Sequence, residues 1–232
     1  MLKAISEAVT LCYNTRQATI DKNLGVARVA SSRQQLKRQM ILVFRRTDQQ
    51  RYAVEVQRPG LPDLEMNPAP GYDSLMPHDM MHLVVEAQLG LTRGIFGQLA
   101  SGGNAGTFRL SVEDDQSSRK IARARKRVIA RGKKLLKNGR NECSQSERAT
   151  YICLCEWRAR SSSREQQKQS QVLAQQAKQV RDTAAARELR LNQRKLDEIC
   201  EHLDHLSSYW SRLEIGQRMA VAWPDLAIVN HL

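Results

Sequence analysis

Met40-Ile-Leu-Val-Phe-Arg-Arg46, Thr47-Asp-Gln-Gln50 and Arg51-Tyr-Ala-Val-Glu-Val-Gln57 read in succession as a strand, a turn and a second strand. The first run is apolar and rich in β-branched and aromatic residues. In the second, Tyr52, Val54 and Val56 fall on alternate positions and so share one face. Strands that follow one another across so short a turn pair antiparallel, and the fold begins from a hairpin.

Before the hairpin the text is different. Residues 1–39 have no sustained hydrophobic period and are rich in Arg, Ser, Gln and Ala. The ordered part is expected to start at Met40, with 1–39 a flexible basic extension. A mitochondrial-type presequence would share the basic character but needs a helical amphipathicity that this segment lacks.

After the hairpin, residues 58–77 carry five of the six prolines, which predicts an extended loop. Pro77 then suits the first turn of a helix running His78-Asp-Met-Met-His-Leu-Val-Val-Glu-Ala-Gln-Leu89, with Gly90 as its C-terminal cap and Leu91 folding back. Five glycines lie between 94 and 106, followed by a possible third strand from Thr107 to Val112. The glycine segment lacks the Gly-Lys-Ser/Thr of a phosphate loop, so it reads as a packing turn or a lid.

Ile121, Ala124, Val128, Gly132 and Leu135 keep helical spacing, which predicts a helix from about Asp115 to Asn138 ended by Gly139. Residues 144–159 read as helix, with Tyr151–Cys155 open to a strand reading, and 165–180 as a linker or solvated helix. Leu189, Leu196, Ile199, Leu203, Leu206, Trp210 and Leu213 then step by threes and fours, a coiled-coil-type stripe for the chain's own helices or a second copy. Met219-Ala-Val-Ala-Trp-Pro224 suggests a short edge strand. The expected fold is therefore α+β. A small antiparallel sheet with a His-bearing helix occupies 40–115, and a helical half with a coiled-coil-like helix occupies 116–232.

Bulk composition narrows the class. Hydrophobic residues make up 41% of the 232, enough for a globular core, and no run approaches the roughly 18 apolar residues of a membrane helix. Five irregularly spaced cysteines suit free thiols better than a disulfide framework, so a cytoplasmic location is expected and integral membrane association is not. The net charge of +13 is concentrated. Residues 116–140 hold eleven Lys and Arg and no acid, whereas 40–115 hold ten acids against six bases.

Those bases are Arg119, Lys120, Arg123, Arg125, Lys126, Arg127, Arg131, Lys133, Lys134, Lys137 and Arg140. A helix so charged repels itself until something anionic compensates. Nucleic-acid phosphates do this through counterion release, and no base-reading motif accompanies the helix. The plain alternative is a solvated helix paired with the acids of 40–115. A membrane surface suits it less, because the apolar face holds no Trp or Phe.

The second chemical feature is His78-Asp-Met-Met-His82, with Glu86 four residues further on. On a helix, histidines at i and i+4 face one way and can grip one divalent ion, zinc or similar. The five residues resemble the His-Glu-x-x-His of zinc peptidases, and that resemblance gives Asp79 the general base's position, one methylene short. Glu86 stands roughly 12 Å along the axis from His78. That is too far to share the same ion, so it serves a second ion or orients His82 from behind. The competing reading is structural: Asp79 favours the helix N-terminus, and His82 hydrogen-bonds at a core edge. Cys153 and Cys155 with His202 and His205 make a weaker metal set, since structural zinc sites favour Cys-x-x-Cys.

Three functions follow. The leading one is a nucleic-acid-associated protein binding phosphates through 119–140. The rival is a metal-dependent hydrolase with His78 and His82 as ligands and Asp79 and Glu86 as catalytic carboxylates. The third is a helical assembly protein pairing through 189–213.

Overall fold

The alternation read at Met40–Gln57 sets the whole sheet. In the computed structural model, which describes residues 39–111, 118–160, 164–183, 187–189 and 191–229, five antiparallel strands lie in the order β4-β3-β2-β1-β5. They are β1 (Met40–Asp48), β2 (Arg51–Gln57), β3 (Leu64–Ala69), β4 (Arg109–Leu110) and β5 (Arg218–Trp223). The helices are α1 (His78–Leu89), α2 (Ile95–Ala100), α3 (Ser118–Ala159), α4 (Arg164–Arg181) and α5 (Gln193–Trp210). The expected extension 1–39 lies, except for Gln39, outside the described residues.

Register explains why one face is apolar throughout. Val221, Leu42, Val56, Leu64 and Leu110 stand opposite one another from strand to strand. So do Met219, Phe44, Val54 and Met66 in the next row. A slip of one residue would turn both rows to the other side. The C-terminal strand β5 is an edge strand, as its sequence suggests, and it pairs with β1. The two ends of the described chain thus close a single sheet.

Two elements differ from expectation for physical reasons. The proline-rich stretch contains β3, because Leu64 and Met66 alternate inward. Pro68 is tolerated there because the pairing with β2 is irregular between Tyr52 and Val54, and β4 is too short to reach it. Tyr151–Cys155 is helical, in line with the helix reading of 144–159 and against the strand alternative.

The second difference is that Gly139 does not end a helix: α3 runs through it for 42 residues, about 63 Å. The glycines of α3 serve close approach. A Cβ on Gly139 would lie 2.4 Å from the Arg93 carbonyl oxygen, and one on Gly132 would lie 2.2 Å from Asn104 Oδ1. The glycine-rich segment is therefore a packing turn against α3. Buried Arg58 fixes it by donating to the carbonyls of Leu99 (3.1 Å) and Gly103 (2.8 Å).

The apolar stripe of α5 faces the chain's own core. Leu196, Ile199, Leu203, Leu206 and Trp210 are all fully buried in one cluster with the sheet rows and with Met80, Leu83 and Val84 of α1. Of the two uses the sequence leaves open for this stripe, packing within the chain accounts for its buried residues. Trp210 Nε1 and Ser207 Oγ donate to the carbonyls of Asp73 (3.0 Å) and Leu75 (2.8 Å), tying down the loop that leads into α1. Helix α4, the glutamine-rich stretch, packs along α3 with Arg181 paired to Glu156 at 2.6 Å. No helix among the described residues is long and apolar enough to cross a membrane.

Candidate metal centre

Helix α1 starts at His78 because Pro77 fixes the residue before it and Gly71 receives it. The His78 N–H donates to the Gly71 carbonyl at 3.1 Å, and Gly71 has φ of 72°. A Cβ on Gly71 would lie 2.8 Å from the His78 Cβ, so the loop holds the histidine by close contact. The helix ends on Gly90 in the left-handed conformation, φ 65°, with Leu91 N–H returning to the Glu86 carbonyl at 2.9 Å. Both ends match the sequence reading.

Four residues along α1, His82 is buried while His78 is exposed. Their Nε2 atoms approach to 3.1 Å with the rings nearly perpendicular. Helix α3 crosses this face of α1. Ser146 Oγ lies 2.8 Å from His82 Nδ1, Thr150 Oγ1 lies 3.2 Å from it, and Glu147 Oε2 lies 3.7 Å from His82 Nε2. Donor atoms of His78, His82 and Glu147 all fall within 4.8 Å of one another. Two ligands about 2.1 Å from one ion at the tetrahedral angle stand about 3.4 Å apart. The separations of 3.1 and 3.7 Å bracket that value.

Glu86 decides which nitrogen of His82 is free. It is fully buried, and its carboxylate accepts the N–H groups of Ile95 (2.8 Å) and Phe96 (2.9 Å) at the start of α2. Gly94 leaves the room it needs, since a Cβ there would sit 2.4 Å from the carboxyl carbon. Ser146 Oγ donates to Glu86 Oε1 at 2.8 Å. A hydroxyl has one proton, so with Glu86 ionised the Ser146 oxygen must accept from His82 Nδ1. The lone pair of His82 then lies on Nε2, pointing at His78 and Glu147. Metal-binding histidines are commonly oriented by such a bond on their other nitrogen.

Burial bears on both groups, favouring the neutral ring and opposing the ionised carboxylate. Burial, helped by His78, lowers His82 from its ordinary 6.5 to about 4, so the ring is neutral at pH 7. Burial raises Glu86 to about 7, against the pull of Ser146 and the two backbone N–H groups, so the hydrogen-bond order that leaves Nε2 free is the one reached as pH rises past that value.

The structure brings His78 and His82 together as the spacing requires, but assigns the carboxylates differently. Glu86 touches His82 only through Ser146 and is saturated with donors. Asp79 accepts a hydrogen bond from the buried Tyr52 hydroxyl, which also lies 2.5 Å from the Pro70 carbonyl, and burial raises its pKa. The third residue whose donor atom lies with theirs is Glu147, which no local pattern near the histidines reveals. Cys153, Cys155, His202 and His205 form no such group among the described residues.

All eleven bases of 119–140 are exposed along α3. None forms an ion pair with a described residue. Among the described acids of 40–115, Glu55 pairs with Arg45 and Asp73 with Arg158. No family model, curated protein or solved structure matches the chain.

Proposed function

We propose that the protein is a metal-dependent hydrolase whose centre is His78, His82 and Glu147. The observation that carries this reading is the orientation of His82. Its Nδ1 is committed to Ser146 and Thr150, and its Nε2 faces two further donors. Three protein ligands with two of them exposed leave a coordination position toward solvent, the arrangement of catalytic rather than structural zinc sites. A divalent ion held there supplies Lewis acidity and an acidified water. Glu86 and Ser146 are positioning residues that fix the ring.

Metal analysis of the purified chain, loaded with zinc and dialysed, tests the reading. One equivalent of ion should remain, and the paired changes His78→Ala and Glu147→Gln should release it. Both side chains are exposed, so the variant keeps its core. A chain that retains no ion sinks the proposal.

The second reading, association with nucleic-acid phosphates, is favoured by a separate observation: a helix with eleven exposed bases, none of them ion-paired with a described acid. Its binding energy would be strongly salt-dependent.

A further inference from the structure

The two features meet on α3. A surface groove of about 560 Å³ is lined by Lys133, Leu136, Lys137, Arg140, Cys143 and Glu147, among others. Glu147 is thus both a donor of the metal group and one end of a basic groove. A second groove, of about 690 Å³, continues toward the start of the helix past Arg125, Lys126 and Ile129, and shares Lys133 with the first. From Lys133 to Glu147 is about 21 Å of helix axis. The stretch carries cations at 133, 134, 137 and 140 before any acid appears.

We infer that the substrate of the proposed metal centre is a nucleic-acid phosphodiester, laid along α3 so that one phosphate reaches the ion at His78, His82 and Glu147. This rests on the hydrolase reading. Charge complementarity selects the ligand: a chain of regularly spaced anions matches a line of cations that no described acid neutralises. Peptide chemistry fits less well. Asp79, which stands where zinc peptidases hold their general base, is bound to Tyr52. In the reaction, a water oxygen bonds to phosphorus as the bond to a sugar oxygen breaks. One water proton ends on the departing oxygen, giving a monoester and an alcohol, and no other reactant is consumed.

The test uses the full zinc-loaded chain with end-labelled single-stranded DNA and RNA of one sequence, scored for binding by anisotropy and for cleavage on a denaturing gel. The variant Lys133→Gln/Lys137→Gln/Arg140→Gln should keep its metal content. Its log-affinity against log-salt slope should be shallower by about 2 to 3, and its cleavage at low substrate should fall with affinity. His78→Ala/Glu147→Gln, which loses the ion, should still bind the strand in a salt-dependent way through the cations of α3 and cut neither DNA nor RNA. Stoichiometric zinc with both strands left whole overturns the substrate while leaving the metal reading intact. So does a triple variant that binds and cuts like the wild type. Cutting that persists in the ligand variant also overturns the inference. A chain without zinc fails at the earlier step, which metal analysis identifies directly.

Discussion

The hydroxyl of Ser146 lies 2.8 Å from Nδ1 of His82, across 64 residues of sequence. It joins the ring to the Glu86 carboxylate, and through it to the start of α2. Ser146→Ala removes an acceptor from the ring and a donor from Glu86, both buried. The change should cost about 1 to 3 kcal/mol of stability. Thr150 remains on Nδ1, so the ring is loosened, and zinc affinity should fall about 10- to 100-fold. Denaturant melts in chelator and competitive zinc titration separate the two effects. Wild-type affinity in the variant would show that Ser146 does not orient the ligand.

The same pair of titrating groups makes a pH prediction for the metal-free protein. Between pH 4.5 and 6.5 the folded chain holds on Glu86 a proton that the unfolded chain has released, since the carboxyl moves from 4.5 to about 7. Its contribution to stability therefore falls as pH rises. His82 moves from 6.5 to about 4, so over the same window the unfolded chain holds the extra proton and stability rises with pH. Each slope is at most about 1.4 kcal/mol per pH unit, and they oppose one another. Glu86→Gln deletes the falling term. Relative to wild type, its unfolding free energy should climb from pH 4.5 to 6.5, measured by urea titration in chelator. Parallel profiles would contradict the assignment.

Gly139→Ala separates two roles for a glycine inside a helix. Propensity alone predicts a gain of about 1 kcal/mol. Contact predicts a loss, because the new methyl would lie 2.4 Å from the Arg93 carbonyl oxygen, a backbone atom that cannot swing away. Contact should win, with a net destabilisation of about 1 to 3 kcal/mol. A higher melting temperature in the variant would mean that α3 does not depend on this approach.

What the sequence made legible was local. Alternation at Tyr52, Val54 and Val56, the Pro77 and Gly90 boundaries, the stripe from Leu196 to Trp210 and the edge strand before Pro224 all depend on periods or turn chemistry within a few residues. The i, i+4 pairing of His78 with His82 is local as well. The partners across space were not legible. Ser146, Glu147 and Thr150 come from α3, and nothing near them marks a site until the two helices cross. Gly139 misled because a glycine ending a helix and a glycine admitting a neighbouring carbonyl look alike in one dimension. Pro68 hid β3 because a strand tolerates proline only where pairing lapses, and that lapse is set by the partner strands.

The stripe of α5 gives the last prediction, since the sequence admitted two uses for it. Leu203 is fully buried and belongs to the same cluster as the sheet rows. A seam closed within one chain loses stability on truncation whatever the protein concentration. A seam shared between two chains would make the melting temperature depend on concentration. Leu203→Ala should therefore cost about 2.7 to 5 kcal/mol, with the exact value set by how far the cavity collapses. The loss should be equal at protein concentrations differing a hundredfold, and sedimentation should show the same mass for both proteins. A loss that shrinks as concentration rises, or a variant that dissociates, would return the stripe to a second copy.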